Sequence, residues 1–144
     1  MGPRAYAEAI DPNGHQLRYE DEPRLVEISI GGVVLASTER AVVMHETGLP
    51  PRHYVPRDDV RTEHLRPTET ETVCPFKGRA SYWTAEIDGT THRDLAWTYE
   101  RPIDGAQRLA GLVCFFDERV DVVVDGETRE RPITAWTVTD AELD

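Results

Sequence analysis

Val26-Glu27-Ile28-Ser29-Ile30-Gly31-Gly32-Val33-Val34-Leu35 opens with apolar and polar side chains in alternation, the two-residue period of a strand buried on one face. Gly31-Gly32 then supplies the positive-φ pair of a two-residue turn, so Val33-Val34-Leu35 is predicted to return antiparallel beside the first strand. The same pattern recurs downstream. Asp88-Gly89 separates residues 81–87 from a strand ending at residues 95–99, and Asp125-Gly126 follows residues 120–124; both dipeptides suit primed hairpin turns. Three such turns predict an antiparallel sheet architecture.

Helical signals are short. Asp58 and Asp59 precede Val60, His64 and Leu65, and Pro67 closes that segment. A second candidate starts at Asp104 as N-cap and runs through Ala106, Leu109 and Ala110 to Gly111. Pieces of one or two turns cover sheet ends rather than form a layer. The expected class is therefore mainly β, antiparallel sheets packed together or a partly open barrel, with one or two short helices.

A chain of 144 residues with 39% hydrophobic and 30% charged residues suits one globular domain. Residues 1–22, polar and punctuated by Pro3, Pro12 and Gly14, read as a loosely ordered arm, and residues 23–144 as a single domain. No apolar run approaches the roughly 18 residues of a membrane span, and the N-terminus lacks a secretory pattern, so the expectation is a cytoplasmic protein without a membrane partner. A net charge of -11 disfavours a nucleic-acid partner, because affinity for phosphates comes from Lys and Arg. The acids are unevenly placed: nine acids and three arginines fall from Asp117 to the end, whereas residues 50–79 carry six bases against five acids.

Cys74 and Cys114 form no C-x-x-C pair, which fits a reduced compartment. With the histidines lacking ligand spacing or a thiol partner, no metal and no cofactor are expected. The phosphate-loop, dinucleotide and serine-hydrolase motifs are all missing from the sequence.

Two segments carry the residues suited to chemistry. From His45 to Asp59 the chain holds Pro50, Pro51 and Pro56 around Arg52 and Arg57; prolines pre-set φ, and a rigidly held guanidinium suits carboxylate or phosphate recognition. The plain alternative is that these arginines pair with Glu46, Asp58 or Asp59. Cys74-Pro75-Phe76-Lys77-Gly78 places the single lysine of the protein in a turn before an aromatic strand. Lys77 there can neutralise an anion or stand exposed in solvent, and Cys74 is either a reactive thiol beside a cation or a small buried hydrophobe. Trp83, Trp97 and Tyr99 come from strands that the Asp88-Gly89 turn makes neighbours, so they can wall a pocket or fill a core.

Glu46-Thr47-Gly48-Leu49-Pro50-Pro51-Arg52, Tyr54, Pro56-Arg57, Asp59-Val60, Cys74-Pro75-Phe76-Lys77-Gly78, Ser81-Tyr82-Trp83, Ala96-Trp97, Tyr99, Ala110-Gly111 and Phe115 together resemble the domain of unknown function 427 family, over about residues 27–122. The resemblance implies a β-tent-like fold, similar in outline to methionine sulfoxide reductase B and Yippee-type domains. Many β-tent relatives hold zinc with two cysteine pairs, which this sequence lacks.

These readings converge on one expectation: a small-molecule binding domain, or an enzyme of unassigned reaction, that takes an anionic ligand. Arg52, Arg57 and Lys77 would hold the anionic group, and Tyr54, Tyr82, Trp83, Trp97 and Tyr99 would enclose the apolar part. Cys74 is the candidate reactive thiol. The competing expectation is a protein-interaction module without catalysis, docking through its acidic C-terminal segment or an open sheet edge, with a homodimer among the arrangements the sequence admits.

Overall fold

The computed structural model describes residues 14–137. Among these residues eleven strands follow in chain order: β1 (Leu17–Glu22), β2 (Val26–Ile30), β3 (Val33–Thr38), β4 (Ala41–Glu46), β5 (Arg52–Val55), β6 (Leu65–Cys74), β7 (Gly78–Ile87), β8 (Thr90–Thr98), β9 (Val113–Phe115), β10 (Asp121–Val124) and β11 (Glu127–Thr128). They form a seven-stranded sheet of order β1-β4-β5-β9-β8-β7-β6 and a four-stranded sheet of order β11-β10-β2-β3. Every strand pair is antiparallel. The domain is mainly β, with two antiparallel sheets and no closed barrel.

All three predicted turns close hairpins. Gly31 and Gly32 join β2 to β3, Asp88 and Gly89 join β7 to β8, and Asp125 and Gly126 join β10 to β11; φ lies between 50° and 81° at all six residues. Among the described residues helical structure is limited to single 3-10 turns at Arg57–Asp59, Thr62–His64 and Gln107–Leu109. Asp104 caps none of them. Leu109 N–H bonds to the Ala106 carbonyl, and the Gln107 side chain accepts from the Gly105 N–H. The expected arm ends earlier than residue 22: Leu17–Glu22 pairs with β4 along its whole length and buries Leu17. Residues 1–13, the rest of that arm, lie outside the described residues.

The large sheet has two packed faces. One meets the small sheet over Ile28, Leu35, Val122, Val55, Leu95 and Phe115, all buried, each contributing roughly 1.5–3 kcal/mol of hydrophobic stabilisation. The other face carries Tyr54, Trp97, Cys114 and Met44, partly covered by the 99–112 connection through Tyr99, Ala106 and Leu109. The alternation is visible along β9, where Val113 and Phe115 join the inter-sheet core and Cys114 between them the outer cluster.

Irregularities flank β7 on both sides. Pro67 and Glu71 of β6 face Trp83 and Ser81, and Ala96 and His92 of β8 face Trp83 and Ala85. The bulged residues are tied together. Thr68 and Thr70 hydroxyls donate to the Asp94 carboxylate at 3.0 and 2.9 Å, and the Asp94 N–H donates to Thr84 Oγ1 at 3.1 Å. No helix among the described residues is long and apolar enough to cross a membrane.

Candidate functional site

A single transverse row of the large sheet underlies a cavity. Val42 pairs with Tyr54, Tyr54 with Cys114, Cys114 with Trp97, and Trp97 with Tyr82, so these side chains rise from the same face. Met44 and Glu46 of β4 and Arg52 of β5 extend that face by strand alternation. The cavity above it holds about 390 Å³, with Tyr99, Phe116 and Trp136 adding to its wall.

The β6–β7 turn closes one side. Gly78 sits at φ 115°, and a Cβ there would lie 3.3 Å from the Ile103 nitrogen and 3.4 Å from the Pro102 Cα; only glycine fits both the conformation and the close approach. The Ile103 N–H donates to the Lys77 carbonyl at 3.1 Å. The turn is thereby fastened to the 99–112 connection, with Cys74, Phe76 and Lys77 lining the cavity.

Both cations of the cavity are paired. Lys77 Nζ donates to Glu46 Oε1 at 2.6 Å, and His15, stacked on Phe76 at 3.8 Å, bonds through Nε2 to Glu46 Oε2 at 2.9 Å. Arg52 makes a buried bidentate pair with Glu118, at 2.6 and 2.8 Å, and Thr134 donates to the same carboxylate at 2.5 Å. The guanidinium carbon lies 5.7 Å from the ring centres of Trp97 and Trp136 and 5.9 Å from that of Phe116, within cation–π range. Burial works against the Arg52 charge, but the Glu118 hydrogen bonds overcome it and hold the group above its ordinary value. Burial likewise opposes the Glu118 charge, and its bonds from Arg52 and Thr134 hold the carboxyl below its ordinary range.

Trp97 is the centre of the aromatic wall, tilted against Tyr82 and Phe116 and edge to face with Tyr54. Tyr54 and Trp97 meet at 6.3 Å and 85°, with the Trp97 Nε1–H donating to the Tyr54 hydroxyl at 3.2 Å. Burial pushes the Tyr54 and Tyr99 hydroxyls up, so both keep their protons. Tyr82 shares a hydrogen bond with the Thr72 hydroxyl at 2.9 Å. Cys74 is partly exposed, whereas Cys114 is fully buried beneath the floor, where burial raises its thiol well above the usual value.

Arg52, Tyr54, Lys77, Tyr82, Trp97, Tyr99 and Cys74 therefore border one cavity. Arg57 and Trp83 do not. Trp83 follows Tyr82 on β7 and so faces the opposite side, where it packs against the inter-sheet core. Arg57 lies 5.1 Å over its ring and pairs with Glu100 at 2.5 Å. The residues that sequence reasoning missed are Met44, Phe116, Trp136 and Glu118; Met44 was recoverable by counting two back from Glu46, whereas the ion pair joining Arg52 to Glu118 spans 66 positions with no local signal. Among the described residues no group of three or more His, Cys, Asp and Glu side chains is placed to hold a metal ion.

The model of a family described as a domain of unknown function (DUF427) matches residues 18–126. The chain belongs to the DUF427 family. No curated protein matches it. The match spans from β1 to the turn after β10, so the DUF427 region contains the whole sheet floor, the Lys77 turn and the Arg52–Glu118 pair. Thr134 and Trp136, which close over Arg52, lie beyond it.

Proposed function

We propose that the outer cavity of this DUF427 domain binds a small organic molecule with a flat apolar body and a hydrogen-bond acceptor. The convergence of Lys77 with Tyr54, Tyr82, Trp97 and Tyr99 around one space of about 390 Å³ carries the reading, since few polar groups in an aromatic concavity is the usual composition of such sites. The Lys77 ammonium has three N–H donors, and Glu46 takes one. The other two are available to a carbonyl oxygen.

The polar set is electrically balanced, Lys77 against Glu46 and Arg52 against Glu118. A ligand carboxylate or phosphate would approach both carboxylates as well as both cations, so the pairs as they stand favour an uncharged acceptor over the anion expected from sequence. A thermal-shift series on the full chain tests this, comparing aromatic amides, lactams and ketones with carboxylates of matched shape. Binding to the native state at 100 times the dissociation constant adds about 2.7 kcal/mol, a rise of roughly 8 °C for a domain of this size. The expected hits are uncharged and are lost in Lys77→Met and Tyr82→Ala. Hits confined to carboxylates, or hits indifferent to both substitutions, would overturn the reading.

The interaction-module alternative rests on the free edge of β6 and on the exposure of Val73, 70%, beside the cavity. Pro67, Glu69 and Glu71 along that edge oppose strand addition.

A further inference from the structure

A second concavity, of about 450 Å³, lies on the other side of β5, between the β1-β4-β5 end of the large sheet and β10. Strand alternation creates it: Arg52 and Tyr54 face the aromatic cavity, and His53 between them faces this one. The chain after β9 divides in the same way, with Phe116 on one side and Asp117 on the other. Val43, Val120, Val122 and Pro132 supply apolar wall.

Most charged groups here are already engaged. Glu22 pairs with Arg24, Glu20 with His45, and Arg131 with Asp121. His53 and Asp117 are not. His53 Nδ1 is buried without a hydrogen-bond partner, and Asp117, only 8% exposed, has no side-chain hydrogen bond or ion pair among the described residues. Leaving a buried polar group unpaired costs about 1–3 kcal/mol, and the Asp117 carboxyl, buried as a residue yet bordering the cavity, gains from a bound partner there.

The electrostatics say which sign. Burial pushes the Asp117 carboxyl up to about 7, with Arg52 from behind opposing and the neighbouring Glu118 adding to the rise. Burial and then the Arg129 guanidinium push His53 down to about 4, against the pull of Glu22. Arg129, exposed and lining the mouth, forms no ion pair among the described residues, and Glu130 stands beside it at the rim. Just below neutrality the cavity thus presents a carboxylic O–H, an imidazole and a guanidinium. A negatively charged acceptor satisfies all three.

We propose that this second cavity binds a small organic carboxylate whose oxygens meet Asp117, His53 and Arg129, while its short hydrocarbon body rests on Val43, Val120 and Val122. Asp117 donates its proton to one carboxylate oxygen, the His53 ring donates through Nε2–H, its Nδ1 being enclosed by protein, and Arg129 closes the mouth. Calorimetric titration of the full chain with sodium pentanoate and sodium benzoate, with pentanamide as uncharged control, at pH 6 and pH 8, tests it. The carboxylates should bind about tenfold more weakly at pH 8, where a carboxyl titrating near 7 is mostly ionised. Asp117→Asn keeps a donor that does not titrate, so it should remove that difference and bind at pH 8 as the native protein does at pH 6. Arg129→Gln and His53→Phe should weaken binding at both pH values, with His53→Gln replacing the latter if its melting transition is lost. Tyr82→Ala, in the other cavity, should leave binding unchanged. Absence of binding at pH 6, equal binding at both pH values, pentanamide binding as tightly, or loss in Tyr82→Ala would each overturn the proposal.

Discussion

Replacing Glu118 by Gln removes one charge from a pair in which the carboxylate side chain is 0% and the guanidinium side chain 7% exposed. Arg52 then remains buried and charged, because a guanidinium does not deprotonate in proteins. Breaking a buried pair from one side costs about 3–5 kcal/mol. The three aromatic rings around Arg52 supply roughly 0.5–2 kcal/mol of cation–π attraction each way and do not replace the lost counter-charge. At about 3 °C per kcal/mol for a domain of this length, the melting temperature should fall by roughly 10–15 °C. The double replacement Arg52→Met with Glu118→Leu removes both charges and fills the space with apolar atoms, so it should be more stable than Glu118→Gln despite changing more atoms. Burial also implies indifference to ionic strength: the loss in Glu118→Gln should be the same at low salt and at about 1 M, where the screening length is only ~3 Å. Differential scanning calorimetry of the two variants reads all of this. A fall of less than about 3 °C in Glu118→Gln, close to the ~1 kcal/mol of a surface pair, or a double variant less stable than the single, would refute the account of the pair.

His53 and Asp117 make opposite contributions to the pH dependence of stability. His53, near 4 when folded and about 6.5 unfolded, is protonated first in the unfolded chain, so its contribution is lost as pH falls through that window. Asp117, near 7 when folded and about 3.9 unfolded, is protonated first in the folded chain, so its contribution grows as pH falls from 7. Relative to the native protein, Asp117→Asn should lose stability steadily between pH 6.5 and 4.5, and His53→Phe should gain it over the same range; denaturant titration at several pH values gives both slopes. Gly78→Ala should cost about 1–3 kcal/mol from positive-φ strain plus the Ile103 contact, more than Gly89→Ala, where nothing lies within 4 Å of the added Cβ; equal chemical-denaturation midpoints would contradict this. One thiol per chain should react with a maleimide under native conditions, at Cys74, while Cys114 reacts only after unfolding, and a ligand in the outer cavity should slow the Cys74 reaction.

The hairpins were legible because their determinants are local. Gly31-Gly32, Asp88-Gly89 and Asp125-Gly126 each specify positive φ without help from distant residues. The cavity was legible in part for the same reason: alternation along β5 and β8 sorts Arg52, Tyr54 and Trp97 onto one face. Trp83 was expected beside Trp97 because the Asp88-Gly89 hairpin makes their strands neighbours, but strand pairing alone does not fix the face, and one step along β7 from Tyr82 turns Trp83 to the inter-sheet core. β1 was hidden because Arg18, Tyr19, Glu20, Asp21 and Glu22 form a polar edge strand whose partner, β4, comes about 20 residues later. The second cavity was hidden for a further reason: His53 and Asp117 are brought together by the pairing of β5 with β9, a long-range register that neither residue announces.

The paired irregularities beside β7 each insert an even number of residues: four steps along β6 from Pro67 to Glu71 match two along β7, and four along β8 from His92 to Ala96 again match two. Because side chains alternate with period two, an even excess leaves inside and outside unchanged beyond the bulge. Evolution or engineering can therefore remove the Thr68–Thr70 bulge in one way only. Deleting one residue reverses the parity of everything from Glu71 onward and turns Thr72 and Cys74 away from the cavity they line, whereas deleting two restores a plain ladder and keeps the cavity wall.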